Sequence, residues 1–270
     1  MNFWLIHQIS LTHEGLQKAC AIQILQTAMS LADQGHRVLL WVQRCSRRSV
    51  QEIENHFGRK VPATLMLMKA RTSGASLHKQ SPFATKLLAA RNVMRAVMRG
   101  FLPDVIVSRS PEVLAHCRKN LVLPVRPLRI LELQYPESVA QWRKWRSSHP
   151  DAGLGDGVRA LRELRQRESE CISGVDGILY AALGHVPLME SWGYSGPSRW
   201  FPSACPKLTA PQKVECLYDV GYVGTLAPEN GLECLLEALA LMPNRRLAVA
   251  GSGAESYEDS LRALARQLGV

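Results

Sequence analysis

Residues 218–253 read YDVGYVGTLAPENGLECLLEALALMPNRRLAVAGSG. A short apolar run, 218–223, stops at Gly224. A loop follows, and Gly231 opens a leucine-rich stretch of helical spacing, 232–242. A second apolar run, 246–250, stops at Gly251–Ser252–Gly253. Short apolar runs alternating with helical segments belong to parallel sheets, whose strands need long crossovers and are buried on both faces. The loop 224–231 has a further property. N–H groups at a helix start have no partner inside the helix, and glycine lets a ligand approach them. Gly224, Thr225, Asn230 and Gly231 are therefore candidates to cradle a diphosphate. Gly251 and Gly253 carry two readings, a tight turn or a ligand loop after a buried strand.

The alternation continues upstream. Strands are expected at 3–9, 37–42, 63–68, 104–108, 128–133 and 177–181. Helices are expected at 16–34, 83–101, 111–119, 158–171 and, downstream, 257–268. In the first helix Leu16, Cys20, Ile24, Ala28 and Leu31 recur on one face. The fold class is α/β, a Rossmann-type doubly wound parallel sheet. Residues 193–213 hold four Pro and two Gly and read as a hinge. The expected organisation is one domain over 1–192, the hinge, and a second α/β unit over 214–270.

In such sheets ligands bind beyond the carboxyl ends of the strands. The loop after the first strand, Ser10–Leu11–Thr12–His13–Glu14–Gly15, is thus a candidate, with Gly15 facing a donor anion and His13 the acceptor. A lone glycine there is equally ordinary turn chemistry. Arg109, just past the strand at 104–108, is either an acceptor contact or a surface residue.

Charge is concentrated. The chain carries 33 Lys+Arg against 23 Asp+Glu, a net +10. Residues 44–99 alone hold twelve Lys/Arg and two acids. Such a field attracts anionic lipid, phosphate or nucleic acid. Within the helix at 83–101, Leu87, Ala90, Met94, Val97 and Phe101 define an apolar face. Arg91, Arg95 and Arg99 form a basic stripe beside it. The helix is either a core element with a solvated edge or one lying on an anionic membrane surface. Nucleic acid is disfavoured as a partner, because the basic window has one aromatic before Phe83 and no recognition motif.

Other classes are excluded by pattern. The apolar run at 3–6 is too short for a secretory leader, and no run approaches the ~18 residues of a membrane span. Seven Cys without a CxxC pair argue for reduced thiols. The eight His are dispersed, with no metal-ligand spacing, so no metal is expected. There is neither a GxSxG elbow nor a GxxxxGK[ST] loop.

In order, these segments resemble the family-4 (group 1) retaining glycosyltransferases of the GT-B fold. Residues 218–226, 230–239 and 247–255 are similar to the family's YVG-x-L, KG-xxx-LLEAL and G-x-G-x-E pattern. Gly35–His36–x–Val38 matches its GH-x-V, and Pro103–Asp104 its PD strand start. Glu168 with Asp176–Gly177–Ile178 matches its helix glutamate and following strand. The resemblance covers the whole chain. It implies an N-terminal acceptor half and a C-terminal half for a nucleotide-sugar donor. It implies transfer of a hexosyl group to a cell-envelope polysaccharide or glycolipid at the inner, cytoplasmic membrane surface, without a metal or other cofactor. The carbohydrate or lipid-linked acceptor and the anionic membrane are its other implied partners.

This sequence departs from the pattern at several positions. Thr225 and Asn230 stand where the family places basic residues that reach the diphosphate. Leaving-group stabilisation then falls to Gly224, Gly231 and the helix start. Gln134 stands where the acceptor strand ends in His, and an amide is not a general base. The family's PNGVD is replaced by Phe201–Pro202–Ser203–Ala204–Cys205. Its paired-glutamate motif would fall past Val270, so the resemblance implies an incomplete donor domain. A non-catalytic relative binding a membrane or a partner accounts for the same departures.

Overall fold

The computed structural model describes the chain except residues 8, 12–15, 17–18, 47, 70–89, 150, 203–216 and 243. It divides into two compact units, Met1–Ala204 and Cys205–Val270.

The first unit is built on β1 (Asn2–Ile6), β2 (Ser10–Leu11), α1 (Ala19–Asp33), β3 (Arg37–Val42), β4 (Arg44–Cys45), α2 (Ser49–Phe57) and β5 (Leu65–Lys69). Then follow α3 (Ala90–Met98), β6 (Val105–Ser108), α4 (Pro111–Asn120), β7 (Leu128–Leu133), α5 (Glu137–Ser148), α6 (Leu154–Ile172), β8 (Gly177–Tyr180), α7 (His185–Ser191) and β9 (Ser198–Trp200). Seven strands form one parallel sheet in the order β5-β3-β1-β6-β7-β8-β9, and β2 and β4 pair separately. From β1 the chain moves outward to β3 and β5. It then returns to lay β6 against the other side of β1 and continues to β9. The β1/β6 boundary is therefore the topological switch point.

Alternate strand residues face opposite sides, and both sides are buried. Trp4, Ile6, Leu39, Trp41, Ile106, Leu131 and Leu133 join one core cluster, together with residues of α3, α4, α6 and α7. Leu5, Val38, Leu40, Val42, Val105 and Val107 join the other, together with α1 and α2. Trp4 and Trp41 meet edge-on with centroids 5.3 Å apart, a geometry worth about 0.5–1.5 kcal/mol beyond area burial. The Trp4 indole N–H donates to the Phe101 carbonyl at 2.8 Å, so the buried ring carries no unsatisfied donor.

The structure differs from the sequence reading in four places. The first strand ends at Ile6, not residue 9, because its partner β6 ends at Ser108. The Gly/Pro-rich stretch expected as hinge from residue 193 contains β9, which pairs with β8, so the sheet extends to Trp200; the rest of that stretch from residue 203 lies outside the described residues. In α1 the buried face is Ala21, Ile24, Leu25, Ala28, Met29 and Ala32, and Cys20 is exposed. Among the described side chains of α3 the buried ones are Asn92 and Ala96, while Met94 is 59 % and Met98 80 % exposed. Met94 was expected inside. Residues 83–89 of that helix are outside the described residues, and so is the side chain of Arg91.

The second unit contains β10 (Val220–Val223), a 3₁₀ turn (Pro228–Asn230), α8 (Leu232–Ala240), β11 (Leu247–Ala250) and α9 (Glu255–Leu268). β10 and β11 pair in parallel. The buried cluster is Leu226, Leu232 and Leu261, flanked by Tyr222, Leu236 and Tyr257.

Candidate functional site

Two places gather the sequence-derived residues, one in each unit. The first is the switch point. The Ser108 hydroxyl donates to the Ile6 carbonyl at 2.8 Å and accepts from the Ser110 N–H at 3.2 Å. It thus ties the carboxyl ends of β1 and β6 together. His7 follows β1 and is buried. That burial, and then the charge of Arg109, lowers its pKa to about 3. Its imidazole is neutral at ordinary pH and too weak a base for general-base work near neutrality.

Arg109 is neither a solvated surface residue nor an unengaged cation. Its Nη2 donates to Glu132 Oε1 at 2.6 Å and to Gln23 Oε1 at 3.4 Å. The pair is largely buried, with Glu132 4 % exposed. Gln134 Nε2 donates to the same Glu132 oxygen at 2.8 Å. The two acceptor-side candidates of known position therefore converge on one carboxylate that the sequence reading did not select. Its signal was present. A Glu inside the apolar strand LRILEL needs a partner, and i, i+2 spacing puts it on the same strand side as Gln134. The Arg109 Nε is buried and makes no hydrogen bond among the described residues, which makes it a spare donor of this cluster there. His13 and Gly15, expected beside it, lie outside the described residues.

The second place is the loop 224–231. Thr225 O accepts from Asn230 Nδ2 and from the Tyr222 hydroxyl, both at 2.7 Å. The loop is thereby stapled to itself. Gly231 is left-handed, φ +67°, which glycine adopts without cost. Its N–H donates to Pro228 O at 3.2 Å, and that of Gly224 to Ala250 O at 3.0 Å. The N–H groups of Leu232, Glu233 and Cys234 at the start of α8 make no backbone hydrogen bond among the described residues. They are the donors this loop can offer an anion.

Gly251 and Gly253 have an internal reason to be glycine. A Cβ on Gly251 would fall on the Gly224 carbonyl, and one on Gly253 on the Leu226 carbonyl. Leu226 and Gly253 form a parallel bridge, and the Gly253 N–H is taken by Glu258 Oε1 at 2.8 Å. The close backbone approach here is between two loops of the unit.

Arg95 is half-buried on α3 and Arg99, one residue past its end, is exposed, with Arg99 Nη1 3.7 Å from the Met66 sulfur. Among the described residues no helix is long and apolar enough to cross a membrane.

The parallel sheet with helices on both faces is a Rossmann-like arrangement that matches the GT-B glycosyltransferase fold. The whole chain superposes on 68 % of a sucrose-phosphate synthase from Thermosynechococcus elongatus, with TM-score 0.63 and 12 % identity. Weaker likenesses are to Phytolacca americana UGT2 in complex with UDP-2fluoro-glucose and pterostilbene (TM-score 0.49, 8 % identity, 94 % of this chain and 72 % of that one), and to Acinetobacter baumannii MurG (TM-score 0.44, 12 % identity, 100 % and 64 %). No protein-family model matches the sequence, and a search of the curated proteins found no match.

Proposed function

We propose that the chain is a glycosyltransferase that moves a hexosyl group from a nucleotide-sugar donor to a cell-envelope polysaccharide or glycolipid. The observation that carries this reading is the loop 224–231, a self-stapled turn that leaves the first N–H groups of α8 unspent, in a chain of GT-B-like fold. In the reaction the bond from the sugar's anomeric carbon to the diphosphate breaks, and one to an acceptor oxygen forms. Donors fixed in advance at the departing diphosphate lower that barrier. The second unit would hold the donor and the first the acceptor, with Gln134 and the Arg109–Glu132 pair as its polar contacts. Family-4 type and retention of configuration rest on the sequence resemblance.

The second reading, a non-catalytic relative, is favoured by Asn230 and Arg109. Asn230 replaces a cation and spends its amide on Thr225 O, and Arg109 is neutralised by Glu132. Calorimetric titration with UDP- and GDP-sugars separates the two. Saturable binding with slow donor hydrolysis is expected. Neither binding nor hydrolysis at high concentration would leave only the second reading.

Attachment to the inner membrane surface is proposed through α3, where exposed Met94 and Met98 flank Arg95 and, one residue past the helix, Arg99. Liposome flotation with anionic lipid tests it. Flotation unaffected by charge reversal at Arg95 and Arg99 sinks the idea.

A further inference from the structure

The amino ends of β6, β7 and β8 open into a cavity of about 500 Å³, in the size range of small-molecule sites. It lies at the opposite strand ends from Arg109 and Glu132. Three guanidinium groups line it, from Arg118, Arg126 and Arg129, and one carboxylate, from Asp176. Arg129 is buried and holds Asp176 through Nε at 2.9 Å and its backbone N–H at 2.9 Å. Arg126 Nη2 reaches the other carboxylate oxygen at 2.6 Å. Burial pushes the Asp176 carboxyl up, but the bonds and charge of Arg129, with the bond from Arg126, outweigh it and hold it below the usual carboxylate range. Burial pushes the Cys117 thiol up to about 12, so it adds no negative charge. One acid thus faces three bases. The carboxyl ends of α4 and α6 offset about half a charge each, which leaves the cavity cationic.

Arg118 makes no hydrogen bond or ion pair among the described residues. Its guanidinium lies against Gly174, in the space a Cβ there would fill. The glycine leaves room for a charge that no group among the described residues uses. We propose that this cavity binds a phosphate-bearing anion, held by Arg118 and Arg126 with Arg129 and Asp176 as the fixed frame. Planar guanidinium forks match phosphate oxygens.

The test is calorimetry on the full chain at constant ionic strength, with inorganic phosphate and glycerol 3-phosphate as probes. A parallel arm uses vesicles containing phosphatidic acid. Arg118→Gln should weaken binding about tenfold, the loss of one charge-assisted contact. Gly174→Ala keeps every charge but displaces the guanidinium, and it should weaken binding as well. Arg159→Gln, an exposed residue of α6 that lies outside the cavity and pairs with Asp156, should leave it unchanged. Circular dichroism melts verify that each variant is folded. Arg118-dependent binding of the soluble probes identifies a free metabolite, and Arg118-dependent binding of vesicles alone identifies a lipid headgroup. Binding that is absent, that ignores Arg118, or that falls equally in Arg159→Gln overturns the site.

Discussion

His7 couples the switch point to pH. An unfolded histidine takes a proton near its ordinary pKa of 6.5, whereas the folded one resists until about 3. Between those values the unfolded state binds more protons, so stability falls as pH falls, by about 1.4 kcal/mol per pH unit at full slope. Replacing His7 with Gln should flatten that part of the stability–pH curve, as measured by urea unfolding at pH 4, 5 and 6. An unchanged slope would mean that His7 is charged in the native protein. Residues of this kind were poorly legible in the sequence. His7 looks like any histidine after a strand, and its character comes from burial and from Arg109, about a hundred residues away. Arg109 stood out by its place past a strand end, and Gln134 only through the family resemblance. The carboxylate that joins them did not, because side-chain pairing between β6 and β7 depends on register, which no single strand encodes.

Among the elements, strands buried on both faces were the most legible. Their runs of Val, Ile and Leu have no other stable setting than a covered parallel sheet. β9 was missed because SRW is three exposed residues between glycine and proline, paired along one edge only. Helix rotation was the least legible feature. α1 is apolar on most of its circumference, so two overlapping faces fit its period equally well. In α3 the small Ala96 makes the core contact, and the larger Met94 and Met98 do not. Enlarging Ala96 to Leu should therefore destabilise the protein by about 1–3 kcal/mol through overpacking, while Met94→Gln should change stability by less than about 0.5 kcal/mol. Thermal melts of the two variants check the assignment. Equal effects would place the two residues in equivalent surroundings.

At the scale of the whole molecule the two units are unequal. The first has two interlocking clusters across a seven-stranded sheet. Among the described residues the second has four buried apolar side chains, Leu226, Leu232, Leu239 and Leu261, on a two-stranded one. It leaves Val223 86 % and Leu241 84 % exposed. Local stability follows buried apolar contact. Amides of β10 and β11 should therefore exchange with deuterium well before those of β1, β3 and β6. Exchange of both sets at one common rate would show that the chain unfolds as a single cooperative block. The βα alternation was readable from the sequence pattern. The strand order was not, because the return of β6 to the side of β1 is set by sheet closure and crossover packing, to which the local pattern is blind.

The contact of Gly251 and Gly253 with the carbonyls of Gly224 and Leu226 makes the two strand-end loops a single mechanical part. No side chain separates them, so neither loop can shift without carrying the other. A residue placed in the GSG turn would thus act as a remote adjuster of the 224–231 loop, changing its anion-facing N–H groups without touching whatever they hold.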